Sequence, residues 1–429
     1  MRTDKATIEK VLSYIDREEL ARLAMDVVSI PSPTGSEGEV AKFIVDWLKK
    51  QGIEVFLQEI EKDRYNVVGI LRGQGGGPTL LYNGHMDTAL AGTQEDLLIT
   101  GSTRPEWQAL ATRDGDIIRG SGIVNDKGPL TCTLIMAKAL KQSGVPFKGD
   151  IILTGVAGEI GRAPVDQFQG PAYRGKGAGA RFLVSHGVVA DYAIVVEPSQ
   201  LRITWAQCGA VFIKLTTRGE PMYAPFVEHP ASPRESKNAV VRMASIVPAL
   251  EEWARQYEKK HRYEFKGGTM IPKVNIGSIS GGAPFKPNFS PAICNLYVEA
   301  FMAPGQRAIE VLREVNEVLR ATGIETTCSL FLSVNGYEAE GAEPLVEAME
   351  EAHLYVRGRK PEPIRSAFTS TYADLTVFIE VGIPAIKCGP APDDPNAKPA
   401  TGEMQQIDDL LAAAKMYAIS SLEIVNRPL

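Results

Sequence analysis

The chain has 429 residues, 44% of them hydrophobic and 23% charged, and a formal net charge of −6. Two domains and a sizeable core fit within that length, and the composition is ordinary for a globular protein. A negative balance with no Lys/Arg-rich run speaks against nucleic acid, and no apolar run approaches membrane-spanning length.

Residues 5–29 read as a helix ended by Ile30-Pro31-Ser32-Pro33-Thr34-Gly35. A second helix over 37–51 carries Val40, Phe43, Ile44, Trp47 and Leu48 at helical spacing and stops at Gly52. Strands are expected at 53–60, 65–72 and 78–83. Residues 90–118 read as an irregular polar insertion, long enough to line or cover a site. A helix over 128–143 leads to the strand Ile151-Ile152-Leu153-Thr154, and residues 192–197 form another buried strand ending in a carboxylate. The N-terminus opens on a charged amphipathic helix without a signal-peptide apolar region. The five cysteines are scattered and form no CxxC pair. A cytoplasmic protein is expected.

After residue 200 the pattern changes. Strand 210–217, helix 237–260, strands 270–279 and 292–300, helix 306–322 and strand 326–333 give a βαββαβ order, which suits a small inserted ferredoxin-like domain. A helix over 343–357, Asp374 in a short helix, strand 384–388 and a C-terminal helix over 406–426 resume the first architecture. The expected fold is therefore α/β, a mixed sheet flanked by helices, with a ferredoxin-like insertion. The domain divisions fall at 1–205, 206–334 and 335–429.

The chemistry centres on Leu81-Tyr82-Asn83-Gly84-His85-Met86-Asp87-Thr88. His85 and Asp87 are two residues apart at the end of a strand, so both face one spot. An imidazole whose tautomer a carboxylate can fix is the usual arrangement of a metal-ligating histidine. A core histidine at a strand end is the plainer alternative. Further oxygen donors stand in Gly120-Ser121-Gly122-Ile123-Val124-Asn125-Asp126-Lys127-Gly128-Pro129, in Gly158-Glu159-Ile160-Gly161 and in Glu197-Pro198-Ser199. Any one acidic residue at a strand end is more often a solvated side chain or a helix cap. One imidazole with several carboxylates at the ends of strands in one sheet is a hard donor set, suited to Zn²⁺, Mn²⁺ or Co²⁺.

The order Gly-His-x-Asp, Gly-x-Gly-x-x-Asn-Asp-Lys-Gly-Pro, Gly-Glu-Ile-Gly and Glu-Pro-Ser resembles the aminoacylase, acetylornithine deacetylase and glutamate carboxypeptidase family of metallopeptidases. Gly281-Gly282 with Asn288 and Pro291, then Gly382-Ile383-Pro384 and Gly389-Pro390, fit the same pattern. The resemblance implies a lid and dimerisation role for the inserted domain, hence a homodimer. It makes His85 a metal ligand, Asp87 the carboxylate orienting it and Glu197 a second ligand. The family's bridging aspartate falls on Asn125, with Asp126 beside it. Its Glu-Glu pair is reduced to Glu159, the general base if Gly158 takes the preceding Asp position and a ligand if the spacing to Gly161 decides. The base reading is preferred, because hydrolysis needs a proton acceptor.

Other departures follow. The final histidine ligand, expected near Pro399, is absent. The lid histidine falls on Tyr223, with His229 six residues on, and the lid arginine falls on Phe301. One divalent ion per subunit, Mn²⁺ or Zn²⁺ with Co²⁺ as an alternative, held by His85, Glu197 and Asn125 or Asp126, is expected. Glu159 takes a proton from water activated there and returns it to the leaving nitrogen, while Tyr223 or His229 stabilises the developing anion. If Phe301 faces the pocket, an aromatic small-molecule substrate fits, as in the nitroanthranilate aminohydrolase branch of the family. Phe301 packed within the lid is the plainer reading. The competing readings are a two-metal deacylase or dipeptidase, with Asp393, Asp394 or Glu403 as further ligands, and an inert ligand-binding descendant.

Overall fold

In the computed structural model, which describes residues 1–90, 94–101, 107–392 and 402–428, six of the strands make one sheet. Their order is Glu54–Glu61, Arg64–Leu71, Ile151–Val156, Leu80–His85, Tyr192–Val195 and Ala385–Lys387. The first two pairings are antiparallel and the other three parallel, so the sheet is mixed. Leu80–His85 lies between two parallel neighbours and is buried at every position. That burial accounts for its unbroken apolar run, since parallel strands are covered on both faces. Leu80 and Tyr82 enter a core built with helices Arg17–Val28, Lys127–Ser143 and Ile407–Val425. Leu81 enters a second core with Ala178–Ser185 and Leu375–Glu380. The carboxyl ends of the four parallel strands share one edge, where ligands of such sheets bind.

These elements belong to the first of two units, Met1–Trp205 with Glu338–Ile364 and Ala373–Leu429. The second unit is Ala206–Tyr337 with Arg365–Tyr372. Its antiparallel sheet has the order Val274–Gly281, Ile293–Met302, Gly209–Arg218 and Thr326–Val334. Helices Ala239–Lys260 and Ala308–Thr322 complete a strand–helix–strand–strand–helix–strand chain order. Met243, Ile246, Val311 and Val315 from the helices pack with Ile213, Leu215, Leu296 and Val298 from the sheet.

Several boundaries differ from expectation. The helix expected over 5–29 is two, Lys5–Leu12 and Arg17–Val28, because Asp16 caps a new start by accepting the Glu19 N–H. The strand expected to stop at 83 runs to His85, and that expected over 192–197 stops at Val195. Pro272, which offers no N–H, separates the strand expected over 270–279 into Gly268–Met270 and Val274–Gly281. Within the irregular insertion, Thr112–Asp114 and Ile117–Arg119 form a hairpin that pairs with Met404–Gln406. Residues 91–93 and 102–106 of that insertion lie outside the described residues. Among the described residues no helix is long and apolar enough to cross a membrane.

Candidate active site

His85 closes its strand with its ring fully buried. Nδ1 lies 3.0 Å from the Asp87 carbonyl oxygen and 3.4 Å from Asp87 Oδ1. A proton on Nδ1 serves both acceptors and turns the Nε2 lone pair toward the far side of the ring. There, Nε2 is 3.1 Å from Asn125 Oδ1 and 3.6 Å from Glu159 Oε2. Asp87 is further engaged by Thr34 Oγ1 at 2.7 Å, by the Glu159 N–H at 3.0 Å and by the Ile160 N–H at 3.2 Å. It therefore orients the ring and also ties down the turn carrying Glu159. Burial alone would raise its pKa, but the bond and charge of His85, with those donors, hold it below the usual carboxylate value.

Four more carboxylates surround this pair: Asp126 and Asp374 at 0% exposure, Glu197 at 4% and Glu159 at 5%. Asp126 Oδ2 accepts the His85 N–H at 3.2 Å. Glu197 Oε1 accepts the Asp374 N–H at 3.0 Å, and Asp374 Oδ2 accepts from Asn83 Nδ2 at 3.2 Å. The other oxygens of Asp126 and Asp374 are buried and have no hydrogen-bond partner. Burial raises all four, and the charge of Glu197 adds to the shift at Asp126, Glu159 and Asp374, the last reaching about 7. Burial lowers the imidazole of His85, yet Asp87, Glu159 and Asp126 carry it well above its ordinary value. A proton and a metal ion compete for that nitrogen.

Among the described residues no three His, Cys, Asp or Glu side chains close on one point at ligand distance. What the fold gathers is an excess of negative charge that Lys176 and Lys387 offset only in part, two orphaned buried oxygens and one imidazole. That donor set fits a hard divalent cation, which would supply the missing positive charge. His85, Asn125, Asp126, Glu159 and Glu197 are all brought together here. Asn125 is the one of the adjacent pair whose side-chain oxygen meets the ring nitrogen, while Asp126 is drawn to the strand backbone. Glu403 supports the Asn125 turn, its Oε2 accepting the Val124 and Asn125 N–H groups at 2.9 and 3.0 Å.

A sequence model described as peptidase family M20/M25/M40 matches residues 81–421. The chain belongs to that family. As an M20 member it is a metal-dependent hydrolase acting on C–N bonds. It is 24% identical over 421 residues to the N-formyl-4-amino-5-aminomethyl-2-methylpyrimidine deformylase of Halalkalibacterium halodurans, covering 90% of each chain. To the succinyl-diaminopimelate desuccinylase of Pseudomonas fluorescens it is 24% identical over 417 residues, with 96% of this chain and 97% of that one covered. Human carnosine dipeptidase 1 shares its fold with a TM-score of 0.74 at 15% identity, over 99% of this chain and 100% of the other. A dinuclear metal-binding M20 peptidase of Bacillus subtilis gives 0.60 at 14% identity, over 98% and 99%.

Two residues of this M20 site escaped sequence reasoning as members of the cluster. Asn83 stands two positions before His85 on the same strand, so the period of 2 that paired His85 with Asp87 also pointed to it. Asp374 had no such signal, because only the tertiary fold carries the start of helix Leu375–Glu380 to Glu197. Tyr223 and His229 are exposed residues of the second unit. The Tyr223 ring packs on Phe226 and Phe289. Phe301 packs against Ala210, Val334 and Tyr372 within that unit. Asp393, Asp394 and Pro399 lie outside the described residues.

Proposed function

We propose that this M20 hydrolase cleaves the amide bond of a small N-acylated amine, with Glu159 as the proton acceptor. The observation carrying this reading is the placement of Glu159 Oε2 3.6 Å from His85 Nε2, inside a buried carboxylate cluster. Bound there, a divalent cation supplies Lewis acidity, polarising a carbonyl and making water easier to deprotonate. His85, Glu197 and Asn125 are the residues proposed to hold it, with Asp126 adjoining and Mn²⁺ or Zn²⁺ as the ion. Asn125 in the bridging position and the absence of any histidine after His353 support one ion per chain. Glu159, whose hold on a proton is strengthened by burial, accepts the proton of the attacking water and passes it to the departing nitrogen.

The acylated-amine class is supported by the deformylase and desuccinylase names of the two relatives. Packing of Phe301 within its own unit weakens the case for an aromatic wall, and with it the aromatic aminohydrolase reading. We assign the catalytic domain to 1–205 and 335–429 and a lid and dimerisation role to 206–334, with Tyr223 or His229 as anion stabiliser. The test is a substrate panel run after loading with Mn²⁺ or Zn²⁺, with metal content measured on the same protein. N-formyl and N-succinyl amines are expected to turn over, with about one metal per chain. Turnover of dipeptides alone, or of aminobenzoates alone, would sink the acyl-amine assignment. Close to two equivalents of metal would sink the single-ion site.

A further inference from the structure

Arg64 and Glu37 form an ion pair with 1% and 0% side-chain exposure. It is forked: Arg64 Nε donates to Glu37 Oε2 at 3.0 Å and Nη2 to Oε1 at 2.9 Å. The same Nη2 donates to the Arg174 carbonyl at 2.8 Å, and Nη1 reaches that of Pro171 at 3.4 Å. Glu37 Oε1 in turn accepts the Gly35 N–H at 3.0 Å, one residue from the Thr34 hydroxyl that bonds Asp87. A buried pair of this kind contributes little net stability compared with apolar side chains of the same size. Its contacts give it a different use.

The guanidinium lies against the turn that carries Glu159. A Cβ at Gly158 would stand 2.3 Å from Arg64 Nη2 and 2.6 Å from the Arg174 oxygen, at a φ of +71°. On its other side the turn hangs from Asp87 through the Glu159 and Ile160 N–H groups. The Gly158 carbonyl accepts the Gly177 and Ala178 N–H groups at 3.1 and 3.0 Å, and that of Glu159 accepts the Lys176 N–H at 3.0 Å.

We propose that the Arg64–Glu37 pair is a positioning clamp for Glu159. It fixes the backbone from which that carboxylate reaches toward His85. It also occupies the space where any side chain at residue 158 would begin. This inference rests on Glu159 being the reactive carboxylate, and its test separates the two ideas.

The experiment compares the wild type with Arg64→Met/Glu37→Met and Arg64→Lys by amide hydrogen exchange. Calorimetric binding of Mn²⁺ and steady-state kinetics on an N-formyl amine are measured in parallel. Replacing both partners with apolar residues removes the two buried charges together, and Glu61, 3.8 Å from Arg64, keeps Arg174 as its partner, so the double variant is expected to fold and to bind Mn²⁺ as the wild type does. Exchange at Glu159 and Ile160 is expected to quicken by about tenfold, while strand Ile151–Val156 keeps its protection. Turnover is expected to fall by about 100-fold with KM nearly unchanged, as for a misplaced reacting group. Arg64→Lys keeps the charge without the fork and gives intermediate values, and it carries the test should the double variant fail to fold. Unchanged exchange at Glu159 and Ile160, or full turnover despite faster exchange, overturns the clamp. A wild-type chain inert toward N-formyl amines defeats the proposed substrate class, while the exchange comparison still decides the clamp.

Discussion

Glu159→Gln is expected to lower turnover by about a thousandfold, close to 4 kcal/mol in the activation barrier, while the protein keeps its metal. The substitution preserves the size of the side chain and one carbonyl oxygen, so contacts around His85 Nε2 survive. What it removes is the capacity to take a proton. Metal analysis beside kcat separates the two roles that the lone glutamate of the Gly-Glu-Ile-Gly turn could play. Loss of metal from the variant would make Glu159 a ligand and leave the reaction without an identified base. The geometry argues for the base. His85 Nε2 meets the Asn125 oxygen at 3.1 Å and the Glu159 oxygen only at 3.6 Å, so Asn125 is the closer companion of the ring. Residue 158 cannot supply the base in its place, since Gly158 has no room for a side chain.

The parts of the site readable in the sequence share one property: local periodicity places them. His85 and Asp87 are paired by the two-residue repeat of a strand, and the strand is betrayed by its apolar run. Glu159 and Glu197 follow similar runs, so an edge of acidic strand ends could be inferred before the strand order was known. Asp374, Arg64 and Glu37 are different. Each is a polar residue that nothing in its local sequence sets apart, and each becomes buried only when segments far apart in the chain meet. Arg64 is two residues before Asn66 in a strand, and nothing local distinguishes it from a solvated edge arginine. The same limit explains the insertion over 90–118. Its hairpin is completed by Met404–Gln406, nearly 300 residues away, a pairing that no window of sequence contains. Asp16 shows the opposite failure: its capping signal was local, but a continuous apolar stripe on both sides of it suggested one helix.

The metal-free protein is expected to be markedly less stable at pH 8 than at pH 5, and a divalent cation should reverse the difference. Asp374 gives the sign. Unfolded, its carboxyl ionises near 3.8; folded, burial and the charge of Glu197 delay ionisation to about 7. Between those values the folded chain binds the extra proton, so stability falls as pH rises and the full penalty persists above 7. For this residue alone the part of the shift that lies above pH 5 corresponds to something on the order of 3 kcal/mol. Asp126, Glu159 and Glu197 are raised too, and His85, with its folded value above the ordinary one, loses its contribution over rising pH in the same direction. Thermal melts in excess chelator should therefore show a higher Tm at pH 5, and Asp374→Asn should narrow the gap by raising the pH 8 value. Added Mn²⁺ at pH 8 should raise the Tm of the wild type, because the ion binds the folded cluster and compensates its charge. A chelated wild type that melts at the same temperature at both pH values would mean that the buried carboxylates are neutralised by something other than a cation. The metal assignment would then lose its electrostatic basis.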